Sequence, residues 1–224
     1  MSGRRLALFD LDNTLLTGDT DVLWCDFLIE RGLVDAGAFA AANADMERRY
    51  QAGLATAEEF CGFYVSTLKD RRREDCESWR DEFFRDWIRP RIPDSARALL
   101  QMHRVREEVL ILTTATNRFL TELTARDLGI ENLLATEVEQ IGGVFTGNAT
   151  GLLNMREGKV GRLKHWLDAR DWPARLLREA TFYSDSINDL SLLEAVATAI
   201  AVDPDPKLAA QAKTRGWQIL TLAR

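Results

Sequence analysis

The sequence predicts an α/β protein: a doubly wound parallel sheet with an all-helical segment inserted after its first strand. Three observations carry that expectation. Short apolar runs without polar alternation, such as Leu6-Ala7-Leu8-Phe9 and Val109-Leu110-Ile111-Leu112, suit strands buried on both faces. From about Asp94 onward such runs alternate with segments of helical period, as parallel strands joined by crossover helices do. Between about Asp21 and Trp87, apolar residues recur at helical spacing with almost no strand signal.

In chain order, the first strand, 6–9, ends abruptly in acidic and polar residues. The helical block then offers three apolar faces: Leu23, Phe27, Leu28 and Leu33; Phe60, Phe63, Tyr64 and Leu68; and Trp79, Phe83, Phe84, Trp87 and Ile88. Thr56-Ala57-Glu58-Glu59 has the form of a capping box for the second face, and Arg71-Arg72-Arg73 reads as a solvated helix start. Pro90 and Pro93 punctuate the chain before the second strand at 109–112. A helix over about 117–128 stops at Gly129, and 133–140 and 144–147, joined through Gly142-Gly143, form a hairpin. A helix at 158–169, a strand at 180–184 and a helix at 187–196 follow. Two more strands, 199–202 and 218–220, flank a helix near Leu208. The expected division is a core of residues 1–18 and 91–224 and a helical cap of residues 19–90, with hinges near Thr17-Gly18 and between Pro90 and Pro93.

Composition excludes several classes. The 224 residues carry 29 Lys and Arg against 35 Asp and Glu, a formal net charge of −6. A nucleic-acid binder that relies on phosphate neutralisation is normally basic, so that class is disfavoured. No apolar run approaches the roughly 18 residues of a membrane span. The opening Met1-Ser2-Gly3-Arg4-Arg5 leads straight towards Asp10 and Asp12, without the uncharged stretch of a secretory signal. Cys25, Cys61 and Cys76 form no CxxC and lie near no His, so reduced packed thiols and no zinc site are expected. A cytoplasmic protein with neither nucleic-acid nor membrane partners is the expectation; its oligomeric state is not legible.

Four segments carry chemistry. Asp10-Leu11-Asp12-Asn13-Thr14 leaves the C-terminal end of the first strand, where open parallel sheets bind ligands. Two carboxylates at this spacing can share a hard cation such as Mg²⁺, and one can act as a nucleophile; a capped polar turn is the structural alternative. Thr113-Thr114-Ala115-Thr116 follows the second strand, where a hydroxyl and free N–H groups can hold phosphate oxygens or simply cap a helix. Lys159 is one of five lysines and stands at a helix head, where the dipole disfavours a cation. It serves an anionic partner there or is solvated at the surface. Tyr183-Ser184-Asp185-Ser186-Ile187-Asn188-Asp189 again puts carboxylates and an amide after an apolar strand, as a second acidic group or as a capped helix.

These motifs stand in order over about 6–220. Phe9-Asp10-Leu11-Asp12-Asn13-Thr14-Leu15 with Asp185-Ser186-Ile187-Asn188-Asp189 resembles the haloacid dehalogenase superfamily, phosphatase branch. The helical insertion resembles the cap of its phosphoserine-phosphatase-like subfamily. The resemblance implies Asp10 as nucleophile, forming an aspartyl-phosphate, and Asp12 as general acid and then general base. It implies Mg²⁺ held by the carboxylates of Asp10 and Asp185 and the backbone carbonyl of Asp12, with Asp189 behind them. Thr114, the N–H of Ala115, Lys159 and Asn188 would hold the phosphoryl group. Thr113 is the neighbour with which Thr114 could be confused.

The same resemblance frames the substrate as a small phosphomonoester. A carboxylate after the first motif meets the substrate amine in phosphoserine phosphatases, and Asp19 stands at that place, either in that role or as the cap of the first inserted helix. Arg48 and Arg49 are the candidates for the cap arginine that meets a substrate carboxylate. Thr114-Ala115-Thr116-Asn117-Arg118-Phe119 and Ala201-Val202-Asp203-Pro204-Asp205-Pro206 resemble a bacterial subgroup that includes histidinol-phosphate phosphatases. L-Histidinol phosphate, an amine and an imidazole without a carboxylate, suits an entrance with Asp19 and Asp21. Trp24 is either a platform for the ring or a core residue of the helices. Phosphoserine is the alternative substrate. A phosphotransferase or mutase, or a non-catalytic binding protein on the same fold, is the alternative of another class. His103 and His165 read as structural or surface residues.

Overall fold

The computed structural model describes residues 4–223; Met1, Ser2 and Gly3, part of the segment weighed above against a secretory signal, lie outside the described residues with Arg224. Seven strands form one sheet: β1 (Leu6–Phe9), β2 (Val109–Asn117), β3 (Asn132–Ile141), β4 (Val144–Thr150), β5 (Thr181–Ser184), β6 (Thr198–Val202) and β7 (Gln218–Leu220). Their order is β4-β3-β2-β1-β5-β6-β7, parallel except for β4, which pairs antiparallel with β3. The expected hairpin is therefore the edge of the main sheet.

Four helices follow β1: α1 (Thr20–Glu30), α2 (Ala36–Gln51), α3 (Ala57–Ser66) and α4 (Arg73–Phe83), with a π-helical turn at Phe84–Ile88 and a 3₁₀ turn at Arg89–Arg91. The rest are α5 (Asp94–Val105), α6 (Arg118–Asp127), α7 (Glu157–Asp168), α8 (Arg175–Arg178), α9 (Leu190–Ala195) and α10 (Pro206–Arg215), with a 3₁₀ turn at Ile187–Asp189. Among the described residues no helix is long and apolar enough to cross a membrane.

Central strand β1 shows why its sequence lacks polar alternation. Ala7 and Phe9 pack on one face, against α5, α6 and the inserted helices. Leu6 and Leu8 pack on the other, against α7, α8, α9 and α10. Both faces are covered, so each position needs an apolar residue.

The inserted helices do not form a self-contained unit. Trp24, Phe27, Phe83 and Ile88 share one apolar cluster with Leu112, Phe119 and Phe145 of the sheet side. Arg73 and Arg80 of α4 both bind Glu122 of α6, so the arginine run begins a helix tied to the core instead of a solvated one. The two junctions also meet, with Thr17 N–H donating to the Arg91 carbonyl at 2.9 Å. A smaller cluster of Met46, Ala55, Phe60, Cys61, Tyr64 and Val65, joined by Cys25 and Met155, fixes α2 and α3. Thr56 and Glu59 form the reciprocal capping box at α3. Cys25, Cys61 and Cys76 are all buried as free thiols.

Two core truncations separate these clusters. Phe83→Ala, at a fully buried ring packed on Trp24 and Phe27, should lower global stability by about 3–5 kcal/mol in urea unfolding. Phe60→Ala should instead speed amide exchange in α2 and α3 while sheet amides keep their protection. Equal acceleration throughout the sheet would show that the two clusters unfold as one.

Candidate active site

A cavity of about 550 Å³ opens at the C-terminal edge of the sheet, beneath α1 and α2. Asp10 and Asp12 enter it directly after β1, and Asp185, Asn188 and Asp189 enter it from the turn after β5. Lys159, in the first turn of α7, reaches it from the far side of the sheet. Gly158 permits that approach, since a Cβ there would lie 2.0 Å from the Leu153 carbonyl oxygen.

Lys159 is 3% exposed, so the surface reading of this residue does not hold. Its Nζ donates to Asp10 Oδ1 at 2.7 Å and to Asp189 Oδ2 at 2.8 Å. Burial alone would lower its pKa, but the two carboxylates outweigh it and hold the ammonium charged. Asp10 is pushed up to about 7, chiefly by burial, with Lys159 opposing and Asp189 and Asp12 adding to the rise. Burial, with Asp10 and Asp189 nearby, likewise raises Asp185. Thr14 Oγ1 lies 3.3 Å from Asp10 Oδ2 and 3.2 Å from Asp185 Oδ1, and accepts the Asp185 N–H at 3.0 Å. Asp205, the N-cap of α10, accepts Ile187 N–H at 2.6 Å and donates its own N–H to the Asp185 carbonyl, which braces this turn.

Hydroxyls surround Asp12. Its Oδ1 accepts Thr20 N–H at 2.7 Å and the Thr20 hydroxyl. Its Oδ2 accepts Thr116 Oγ1 at 2.9 Å and Thr114 Oγ1 at 3.2 Å. The segment 113–116 is not the turn that the sequence implies. Strand β2 runs on to Asn117, its register with β3 shifts between Thr113 and Asn117, and Asn117 caps α6. Ala115 and Thr116 line the cavity, while fully buried Thr114 stands behind Asp12. Thr113 accepts from Asn154 Nδ2 at 3.0 Å, which separates its role from that of Thr114.

Beneath the inserted helices, Asp19 takes the place of a helix cap, and its side chain also belongs to the cavity wall. It accepts Asp21 N–H at 2.9 Å and Val22 N–H at 3.1 Å. Asp21 also lines the cavity; its Oδ2 lies 3.2 Å from Thr116 Oγ1. Burial pushes Asp19 up to about 7, helped by Asp12, and raises Asp21, helped by Asp19 and Asp12. Trp24 does not reach the cavity. It is buried against Phe27 and Phe83 and donates Nε1–H to Thr67 Oγ1 at 3.0 Å, so it is a core residue and not a ring platform. Neither Arg48 nor Arg49 lines the cavity; they pair with Asp45 and Glu59.

The wall also holds Glu47 and Tyr50 of α2 and Met155 and Arg156 of the segment before α7, which the sequence did not single out, and Phe60, expected only as part of an apolar helix face. Tyr50 stacks on Phe60 with centroids 3.9 Å apart, and Arg156 lies over Tyr50 at 5.5 Å. His103 is away from this cavity, bonded to Glu108 and to the Tyr183 hydroxyl at 2.8 Å.

The donor set fits Mg²⁺. Asp10, Asp12, Asp185 and Asp189 line one end of the cavity beside a single buried ammonium, which contacts Asp10 and Asp189, so acidic groups outnumber it, and every candidate donor is oxygen. Among the described residues no three acidic, imidazole or thiol groups converge as a closed metal cage. Mg²⁺ characteristically needs one or two carboxylates and keeps water or phosphate for its other positions.

Residues 7–194 match the family of haloacid dehalogenase-like hydrolases. A histidinol-phosphatase of Neisseria meningitidis serogroup C (strain 8013) is 37% identical over 97% of this chain and 98% of its own length. A phosphoserine phosphatase of Mycobacterium tuberculosis is 32% identical over 95% of this chain and 69% of its own length. A solved structure of a protein of unknown function from Bordetella pertussis Tohama I superposes with a TM-score of 0.93 at 40% identity, covering 98% of this chain and 99% of that one.

Two outcomes follow from the charges. Mg²⁺ should raise the melting temperature of the chelator-treated protein. Asp185→Asn should abolish that rise without lowering metal-free stability at about pH 8, because it removes a repelling carboxylate. A retained Mg²⁺ shift in this variant would remove Asp185 from the metal set. Separately, a carboxyl whose folded pKa is raised favours its protonated form in the folded state. The stability it contributes is complete below the unfolded value of about 4 and is lost as pH rises through the folded value, about 7 for Asp19. The metal-free melting temperature should therefore fall between about pH 5 and about pH 8, and Asp21→Asn should lessen the fall; an unchanged slope would exclude Asp21 as a contributor.

Proposed function

The chain belongs to the haloacid dehalogenase-like hydrolases, and on that premise we propose that this phosphatase is Mg²⁺-dependent and hydrolyses L-histidinol phosphate through an aspartyl-phosphate. Residues 19–90 act as the cap over a core of residues 1–18 and 91–224.

Asp10 is the nucleophile. One of its carboxylate oxygens forms a bond to phosphorus as the ester P–O bond breaks, and the departing alkoxide takes a proton from Asp12. Asp12, now ionised, removes a proton from water, whose oxygen attacks phosphorus and restores Asp10 with release of inorganic phosphate. The hydroxyls of Thr20, Thr114 and Thr116 hold Asp12 at fixed orientation through both steps. Lys159 orients Asp10 and offsets charge on the phosphoryl group, aided by the Ala115 N–H and Asn188 on the cavity wall. Asp10, Asp185 and the Asp12 carbonyl would hold Mg²⁺, which would supply Lewis-acid stabilisation to the phosphoryl oxygens.

The sign of charge at the cap end carries the substrate reading. Asp19, Asp21 and Glu47 line it, and among the described residues no arginine of residues 19–90 does. That arrangement suits an amine and an imidazole and disfavours a free carboxylate. The 37% identity to a histidinol-phosphatase agrees with it. Phosphoserine remains the second reading because Arg156, from the core, lies on the same wall and could meet a carboxylate.

The deciding assay is phosphate release from L-histidinol phosphate and L-phosphoserine, each with Mg²⁺ and with chelator. Mg²⁺-dependent preference for histidinol phosphate is expected, and preference for phosphoserine would overturn the substrate reading. Asp10→Asn should keep the fold and lose turnover by at least about 10³-fold, because an amide cannot form the phosphoenzyme. Unchanged phosphate release from that variant would remove Asp10 as nucleophile.

A further inference from the structure

Two observations at the cap end are not used by the chemistry of phosphoryl transfer. The first is Asp21. It is 4% exposed, lies on the cavity wall, and among the described residues its Oδ1 has no hydrogen-bond partner. An unpaired carboxylate oxygen buried beside a cavity is costly unless a donor meets it after a small turn of the side chain. The second is Glu47, half-buried on α2, which lines the same cavity and accepts from Gln51 Nε2 at 3.1 Å.

The acids are graded in position. Asp21 joins the Asp12 shell through Thr116, and Asp19 stands two residues away at the α1 cap. Glu47 makes no bond to that shell and comes from the next helix, beside Tyr50. A substrate anchored by its phosphoryl group at Asp10 therefore meets Asp19 and Asp21 first and Glu47 beyond them. In histidinol phosphate the amine is close to the phosphoester and the ring lies one methylene further out.

We propose that Glu47 is a specificity-determining residue: it accepts a hydrogen bond from the imidazole of the substrate while Asp19 and Asp21 take the amine, and its charge rejects substrates that carry a carboxylate there. This rests on the phosphatase and substrate reading above. The aromatic pair does not take the ring by stacking, since Phe60 covers one side of Tyr50 and the Arg156 guanidinium also lies over that ring. Recognition is then electrostatic, at the end of a hydrogen bond.

The test compares kcat/KM for histidinol phosphate, phosphoserine and p-nitrophenyl phosphate in the Mg²⁺-loaded protein. Glu47→Gln should lower the ratio of histidinol phosphate to p-nitrophenyl phosphate by about tenfold to a hundredfold, carried mainly by KM. Glu47→Asp should recover part of that loss, and Glu47→Arg should raise activity on phosphoserine relative to histidinol phosphate by at least about tenfold. Asp45→Asn, an equal charge change on the exposed side of α2, should leave all three values as they were. If the wild type prefers histidinol phosphate but Glu47→Gln leaves the ratio unchanged, the role of Glu47 is overturned and the substrate reading stands. A wild type that prefers phosphoserine, and loses that preference in Arg156→Gln, overturns the substrate reading itself.

Discussion

The ammonium of Lys159 sits buried between Asp10 and Asp189 at the C-terminal edge of the sheet, and the remainder of the site is arranged around that contact. Several carboxylates cannot gather in low dielectric without compensation, because burial and mutual repulsion both favour their neutral forms. One cation offsets part of that charge and holds Asp10 at a set orientation. To bring it there, α7 must start hard against the chain that precedes it, and Gly158 lacks the side chain that would prevent this. What the lysine does not offset is, in the mechanism proposed above, the charge that a hard cation and a phosphoryl transition state would meet.

Asp12 has a different environment although it lies two residues away. Its partners are three hydroxyls and one backbone N–H, with no cation among them. Two acidic groups of one motif thus have contrasting neighbours: one is clamped by an ammonium and the other is surrounded by hydroxyls. Thr116 extends the hydroxyl shell to Asp21, so Asp12 and the buried carboxyl at the start of α1 share a side chain.

The inserted helices divide into a fixed part and a separable part. Helix α4 and the π-helical turn are joined to α6 through aromatic packing and through Glu122, while α1 contributes to both apolar clusters. Helices α2 and α3 rest on a smaller cluster of their own, and α2 carries Glu47 and Tyr50. Changes at α2 and α3 can therefore alter the cavity wall without disturbing the aromatic packing under α1 and α4.

The sequence by itself determined the doubly wound sheet, the helical insertion after β1, and the segments on which Asp10, Asp12, Lys159, Asp185 and Asp189 stand. Buried strands must be apolar on both faces, and reactive polar residues follow them at fixed offsets, so both signals survive in one dimension. Tertiary structure decided the rest. Helix α2 is rich in alanine and presents few large apolar residues, so its periodicity is faint and Glu47 went unmarked. Trp24 has the chemistry of a ring platform, but whether an aromatic side chain faces a cavity or Phe83 depends on how helices pack across the chain. The prolongation of β2 to Asn117, which turns Thr114 towards Asp12, follows from pairing with β3. Arg48 and Arg49 face away from the cavity for the same reason: the rotation of a helix about its axis is set by the partners it meets, and those lie far off in sequence.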